Sequence, residues 1–317
     1  MIIHFISLNI VLVCAYQDKF GTFTRLTDLL NAMGSHDDLN FWQILGDNFY
    51  DQAGDASSSW FAALSSGIKS KFFSTVPGNH DFWVNASPEH YVPNDQLGNG
   101  FMQFYGQDTV ASTQTSGNAP YDFSADPDGA NKGSENLPPA SNFFFYNKLG
   151  NVAFIGYSGA RSFESMESYF TEACNWAVSE KPDVLFLLGH WNMGGDGCDT
   201  TATVPAVYSE IAALPACAPI ASKMLYFMGH KHCNMVTEKD IGFMVGGMGM
   251  SDASSCGGVF GIPVVDTTGG SVKVYYFQLA VGGVFDDNAY SNILNCFKAN
   301  GVSGCYSLAT LWSSVPI

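Results

Sequence analysis

Four short apolar segments of this 317-residue chain end in the same way, with a glycine followed by side chains that can bind a metal ion. The segments lead into Gly46-Asp47, Gly78-Asn79-His80-Asp81, Gly189-His190 and Gly229-His230-Lys231-His232. In open α/β sheets, ligands bind beyond the carboxyl ends of the strands. These four turns are therefore expected to converge, which restricts the chain to folds in which several strands end at one shared edge.

The rest of the pattern also favours an α/β fold, because short apolar runs alternate with helical spacings. Strands are predicted at 41–45, 72–76, 152–157, 184–188, 224–228, 243–245 and 272–277, and helices around 26–33, 60–68, 166–176 and after Pro205. Residues 82–142 are rich in Gly, Pro, Asn, Asp and Ser, which predicts an insertion on the surface. The expected organisation is one domain at 16–280, which includes this insertion, and a C-terminal extension at 281–317.

Residues 1–15 are almost entirely apolar and leave two interpretations open. Val13-Cys14-Ala15 is similar to the end of a secretory signal peptide, whereas the Ile, Leu and Val content of 2–13 is typical of a buried first strand. The acidic composition, the glycosylation pattern Asn85-Ala86-Ser87 and eight cysteines favour a secreted or extracellular glycoprotein.

Disulfide bonds are expected in such a protein, although pairing cannot be deduced from spacing alone. Cys296 and Cys305 bracket a short segment that contains glycine, and Cys198 and Cys217 bracket a longer one. The alternative is that these cysteines are ordinary buried thiols.

The charge balance excludes several classes of partner. Asp and Glu total 29 against 13 Lys and Arg, which gives a formal net charge of −16. A chain this acidic lacks the basic surface that nucleic acids and anionic membranes require. No apolar run reaches the roughly 18 residues of a membrane span. The expected partner is a small phosphorylated substrate, for the reasons that follow.

The side chains at the strand ends define the chemistry. Together they offer a carboxylate, an amide oxygen, a phenol and imidazoles, a mixed nitrogen and oxygen set that suits Zn, Fe or Mn. One carboxylate can bridge two metals about 3.5–4 Å apart, the arrangement used to hydrolyse phosphate esters. Each motif is a weak signal by itself, but the ordered set of four predicts a metal centre.

The same ordered motifs resemble those of the calcineurin-like metallophosphoesterases, over roughly residues 41 to 232. The block Gly46-Asp47-Asn48-Phe49-Tyr50 resembles a narrower branch, the small tartrate-resistant purple acid phosphatases. The resemblance implies a four-layer α-β-β-α sandwich, with two facing mixed sheets flanked by helices. It also implies a dinuclear centre of Fe(III) with Fe(II), Zn or Mn.

The resemblance further implies roles for individual residues. The metal ligands would be Asp47 as the bridge, Tyr50 and His232 at the first metal, and Asn79, His190 and His230 at the second. His80 would contact the phosphate and protonate the leaving oxygen, and Asp81 would orient it. The implied activity is hydrolysis of phosphate monoesters by in-line attack of hydroxide held at the metals. The alternatives are a phosphodiesterase of the same superfamily and a non-catalytic binding homologue.

One departure from the family pattern bears on that last alternative. The family carries an aspartate just after its first strand that ligates the first metal, and here Cys14-Ala15-Tyr16-Gln17 follows the apolar run. Asp18 is the nearest carboxylate, in a context equally typical of a solvated loop. Either Asp18 is the ligand, or the chain lacks its true start, or the first metal site is incomplete and activity is weak or absent.

Overall fold

The computed structural model describes residues 9–13, 22–47, 55–78, 81, 83–84, 87–88, 144–159, 162–190, 203–230, 232, 234–246 and 259–317. Fifteen strands lie in these ranges: β1 Asn9–Val13, β2 Phe41–Leu45, β3 Phe72–Val76, β4 Trp83–Val84, β5 Ser87–Pro88, β6 Phe144–Leu149, β7 Val152–Ser158, β8 Val184–His190, β9 Met224–Met228, β10 Asn234–Glu238, β11 Gly242–Val245, β12 Phe260–Asp266, β13 Ser271–Val281, β14 Val284–Phe285 and β15 Thr310–Pro316. The α-helices are α1 Thr22–Gly34, α2 Asp55–Ala63, α3 Ser66–Lys69, α4 Phe163–Glu180, α5 Val204–Ala213 and α6 Asp287–Asn300. Most predicted strands and helices are present, several with the expected bounds.

The strands form two large mixed sheets. The first has the order β14-β13-β12-β1-β2-β3, with β15 also paired to β13, and the second has the order β10-β11-β9-β8-β7-β6. Strands β1, β2 and β3 run parallel, and so do β7, β8, β9 and β11. The carboxyl ends of β2 and β3, and of β8 and β9, therefore meet at shared edges.

Three large clusters of buried side chains show how the sheets and helices stack. One cluster joins the inner faces of the two sheets, with Leu45 and Val265 from the first and Phe186 and Phe227 from the second. A second cluster packs α1, α2, α3 and α6 on the outer face of the first sheet. A third packs α4 and α5 on the outer face of the second. The four-layer α-β-β-α sandwich expected from the sequence is confirmed.

The ends of the chain contribute to the first sheet. The strand β1 lies between β2 and β12, so part of the apolar segment 1–15 is a strand here. Residues 281–317, expected as an extension, contain α6, whose Phe297 is buried against the sheet, and β15, which pairs with β13. The predicted helix over 60–68 is two helices, because the Ser65 side chain accepts a hydrogen bond from the Ile68 N–H and starts α3.

Two disulfides lie within the described ranges. Cys217 pairs with Cys174, and Cys296 pairs with Cys305. The first joins α4 to the segment after α5, and the second joins α6 to the 3₁₀ helix Ser303–Leu308. Disulfides are compatible with the secreted location predicted from the sequence. No helix in the described part of the chain has the length and apolar character needed to cross a membrane.

The two disulfides are expected to differ in their contribution to stability. The Cys174–Cys217 pair spans 43 residues and the Cys296–Cys305 pair spans 9. Because a longer loop loses more chain entropy when it is closed, we expect about 4 kcal/mol for the first and about 2.5 kcal/mol for the second. Urea unfolding of the two double Cys→Ala variants measures both values, and equal losses would contradict the chain-entropy account.

Candidate metal centre

Three of the predicted metal ligands stand at adjacent strand ends. Asp47 lies two residues beyond β2, His190 is the last residue of β8, and His230 lies two residues beyond β9. Strands β8 and β9 are in register with Gly189 opposite Met228, and the Gly229 N–H donates to the Gly189 carbonyl over 3.0 Å. The two histidines therefore leave the second sheet side by side, and Asp47 reaches them from the first sheet.

The side chains of Asp47, His190 and His230 form a compact cluster. Their candidate ligand atoms, a carboxylate oxygen and one ring nitrogen from each histidine, all lie within 4.8 Å of one another. Asp47 and His190 are buried, and His230 is partly exposed. The two imidazole rings are almost perpendicular, with centroids 5.3 Å apart. Two rings and a carboxylate thus converge on one point at the junction of the sheets.

The orientation of His190 is fixed by the first sheet. Its Nδ1 donates to the Leu45 carbonyl over 2.7 Å, because a carbonyl can only accept. Its Nε2 faces the Asp47 Oδ2 at 3.2 Å. Burial lowers the pKa of His190, but the charge of Asp47 and the hydrogen bond to it, the Leu45 carbonyl and the charge of Asp81 together raise it above its ordinary value. The His190 ring therefore lies in a negative electrostatic potential, which favours a positive charge at this position.

These residues fit a transition-metal ion. A metal-binding histidine characteristically donates its second N–H to a carbonyl or carboxylate, as Nδ1 of His190 does to Leu45. With metal–ligand bonds of about 2.1 Å, donor atoms 3.2 Å apart subtend about 100° at a shared ion, between octahedral and tetrahedral angles. The negative potential that favours a proton on Nε2 favours a cation in the same way.

The backbone near the cluster is held in an uncommon conformation. Gly46, Asp47 and His230 have φ angles of 79°, 50° and 81°. Residues other than glycine rarely adopt positive φ, and such residues collect at functional sites, where surrounding structure enforces them. The turns after β2 and β9 therefore bend their side chains toward the cluster at a conformational cost.

Glycines give these side chains the room to meet. A Cβ atom on Gly46 would lie 2.5 Å from Nδ1 of His190. One on Gly78 would overlap the backbone nitrogen and carboxylate of Asp47, and one on Gly229 would overlap the Leu45 carbonyl. No larger residue fits at these three positions unless a ligand or the Leu45 carbonyl moves, so these three glycines have a steric role at the cluster.

Asp81 is hydrogen-bonded to Gly78, three residues before it in the sequence. Its Oδ2 accepts a hydrogen bond from the Gly78 N–H over 2.6 Å, and its own N–H donates to the Gly78 carbonyl over 3.2 Å. Asp81 is buried, and its charge contributes to the raised pKa of His190. It is therefore part of the electrostatic surroundings of the cluster.

The other predicted site residues fall into two groups. His232 is described and partly exposed, and it is not a member of the compact cluster. Tyr50, Asn79, His80 and the weak candidate Asp18 lie outside the described residues, so their roles stay predictions. The Leu45 carbonyl is a functional group that the sequence did not indicate, because a backbone atom leaves no signature in residue type.

Comparison with known proteins finds only remote similarities. No protein family matches the sequence, and no curated protein matches it. Among solved structures, GAP50, the anchor in the inner membrane complex of Plasmodium, has a TM-score of 0.45 at 14% identity, over 86% of this chain and 84% of that one. A Vps29 variant from Entamoeba histolytica has a TM-score of 0.35 at 10% identity, over 87% and 94%. A candidate 5'-nucleotidase from Staphylococcus aureus, in complex with alpha-ketoglutarate, has a TM-score of 0.39 at 12% identity, over 92% and 58%.

Similarities at these levels carry no argument about activity. The fold and the site themselves define an α-β-β-α sandwich with a carboxylate and imidazole cluster at the junction of its two sheets. That combination is the basis of the proposal below.

Proposed function

We propose that this chain is a metal-dependent phosphoesterase that hydrolyses phosphate monoesters. The observation that carries the proposal is the convergence of Asp47, His190 and His230 from three strand ends, with His190 already oriented by the Leu45 carbonyl. An acidic protein repels phosphate, so binding of phosphate would require a local positive charge, which metal ions at this cluster would supply.

In this proposal each residue has a separate task. Asp47, His190 and His230 would hold one cation, and Asp47 has a second carboxylate oxygen available to a further cation, for which Tyr50 and His232 are the proposed ligands. Asn79 would be a further ligand of the cation that His190 and His230 hold. Fe(III) paired with Fe(II), Zn or Mn is the proposed metal content. The bound cations would supply Lewis-acid stabilisation of the phosphoryl charge and activation of water.

The protein groups around the substrate would do the remaining work. The loop closed by Gly78 and Asp81 contains His80, and we assign to His80 the contact with the phosphate and the proton donation to the leaving oxygen. Asp81 would hold this loop in position through its bond to the Gly78 N–H. Burial of Asp47 and His190 keeps water from competing for these groups and strengthens their electrostatic interactions.

A second candidate is a non-catalytic metal-binding protein with the same scaffold. The observation that favours it is at the end of β1. This strand stops at Val13, beside β2, and the next carboxylate in the sequence is Asp18. A centre without a carboxylate after the first strand would bind one metal ion well and a second one weakly.

Metal analysis combined with an ester assay separates the candidates. For the phosphomonoesterase we expect two metal ions per chain and turnover of an aryl phosphate, with an aryl phosphodiester cleaved more slowly. One metal ion without turnover would favour the non-catalytic candidate, and faster cleavage of the diester would favour a phosphodiesterase. Absence of bound metal after incubation with Fe, Zn and Mn salts would overturn the proposal.

Two histidine variants test whether metal binding depends on the cluster. His230→Asn removes the imidazole but keeps a residue that tolerates the φ angle of 81°. His36→Ala removes a half-buried imidazole whose Nε2 contacts the Lys298 carbonyl at 3.1 Å, and His36 precedes the amino end of β2, whereas Asp47 follows its carboxyl end. We expect the first to lose metal and the second to retain it.

A further inference from the structure

A buried asparagine links the two sheets at the same end of the sandwich as the metal centre. Asn234 is the first residue of β10 in the second sheet and is 4% exposed. Its Nδ2 donates to the Gly261 carbonyl of β12 over 3.3 Å and to the Tyr276 hydroxyl of β13 over 3.4 Å. Both partners belong to the first sheet, so this side chain bridges the gap between the layers.

The orientation of the amide is determined by a third contact. The backbone N–H of Gly246, which can only donate, lies 3.0 Å from the Asn234 Oδ1. This bond places the oxygen toward the end of β11 and the nitrogen toward the first sheet. Tyr276 reaches the amide because Gly261 has no side chain: a Cβ there would lie 2.7 Å from the Tyr276 hydroxyl oxygen. Burial also raises the pKa of Tyr276, so its hydroxyl stays neutral.

The strand registers place this bridge at the edge that carries the cluster. Asn234 is opposite Val245, and β11 runs parallel to β9 with Met244 opposite Met228, just before His230. On the other sheet, β12 begins where β1 and β2 end. The bridge on β10 and β12 lies two strand spacings, about 10 Å, from the strands that lead to His230 and Asp47, and three, about 14 Å, from the strand of His190.

The cluster depends on the separation of the sheets, because it draws Asp47 from one and both histidines from the other. We propose that Asn234 is a positioning residue that sets this separation and thereby holds Asp47 within ligand distance of His190 and His230. The inference rests on the proposed metal site, and it adds to that site a residue without a metal-binding role of its own. Groups bonded directly to a metal ligand characteristically change metal affinity by about 10–100-fold, and because Asn234 acts through the sheets, its effect is expected at the lower end of that range.

The structure offers a matched control at the other end of the hairpin formed by β10 and β11. Ser313 of β15 donates from its Oγ to the Asp240 Oδ1 over 2.8 Å, and this bond also joins the first sheet to the second. Asp240 is in the turn between β10 and β11, which begins after Glu238, about 13 Å along the strand from Asn234. Ser313 is 4% exposed, as Asn234 is. Loss of either bond should weaken the contact between the sheets, but only one of them is beside the cluster.

The test compares Asn234→Leu, Tyr276→Phe and Ser313→Ala in the full chain. We expect Asn234→Leu to weaken Zn²⁺ and Mn²⁺ binding, measured by calorimetric titration, by about tenfold or more. Tyr276→Phe removes the hydroxyl that accepts one of the two hydrogen bonds from the Asn234 Nδ2. It keeps the stacking on Trp312, so its effect should be smaller. Ser313→Ala should leave metal affinity within about twofold of the wild type, although urea unfolding shows a loss of stability.

A second readout needs no metal. The Nδ1 proton of His190, buried and bonded to Leu45, is expected to give a slowly exchanging downfield NMR signal in the metal-free protein. Asn234→Leu should shift or broaden this signal, and Ser313→Ala should not. Equal effects of the two variants on affinity and on the signal would overturn the positioning role while leaving the metal site standing. If the wild type binds no metal, the proposed function fails and the NMR comparison alone decides the role of Asn234.

Discussion

Asp47→Asn is expected to remove metal binding and ester hydrolysis together while the protein stays folded. Asparagine has nearly the same shape and tolerates the φ angle of 50° at this position. It lacks the negative charge that faces the His190 Nε2 at 3.2 Å and that would attract the cations. Because loss of an outer ligand contact alone costs about 10–100-fold, loss of this direct ligand should lower metal affinity by more than about 100-fold.

The measurement is metal content after dialysis, with aryl phosphate turnover on the same samples. Asp286→Asn is a suitable control, because it also replaces an aspartate by asparagine, at the N-cap of α6, where asparagine caps a helix equally well. Retention of metal and activity in Asp47→Asn would contradict the assignment of the cluster as the metal centre.

The second large effect is expected from Gly46→Ala, through steric overlap. The new Cβ would lie 2.5 Å from Nδ1 of His190, in a residue whose φ is 79°. The backbone strain should cost about 1 kcal/mol, and displacement of a buried ring should add about 1–3 kcal/mol. The displaced ring would also break its bond to Leu45, so we expect metal affinity to fall along with stability.

Gly269→Ala separates the two contributions. Gly269 has a φ of 69°, close to that of Gly46, but no atom lies within 4 Å of its added Cβ. We expect this control to lose only the free energy of unfolding that corresponds to the backbone strain, as measured in urea, and to keep its metal. Gly78→Ala is the complementary case, since a Cβ there overlaps Asp47 directly. If Gly46→Ala resembled Gly269→Ala in both measurements, the close packing of His190 on the β2 turn would be wrong.

The strands of the two-sheet core were predictable because burial on both faces leaves a continuous apolar run. The bounds of β2, β3 and β9 are those expected. By contrast, β12 was missed, since Gly261 and Pro263 break its pattern. Pro263 pairs with Tyr276 of β13 and lies just outside the part of β12, Val264 to Asp266, that pairs with β1.

The sequence indicated several residues of the candidate site but not how they are arranged in space. The glycine and metal-ligand pairs after the strands pointed to Asp47, His190 and His230, which the fold does bring together. The resemblance assigned His232 to the other metal ion, and because His232 is not part of the compact cluster, that assignment stays a prediction. Nothing in the sequence indicated Asn234, since a buried asparagine has the same letter as one in a turn, and only its contacts across the sheets distinguish it.

The order of apolar runs, glycines and ligand side chains by itself determined the class of fold and indicated a candidate metal site, because strand formation and turn geometry depend on neighbouring residues. Only the tertiary structure decided that β2 would enter one sheet and β8 and β9 the other, with their ends facing. The bond from His190 to the Leu45 carbonyl joins groups 145 residues apart. A contact of that kind follows from the packing of whole layers, which local sequence patterns do not encode.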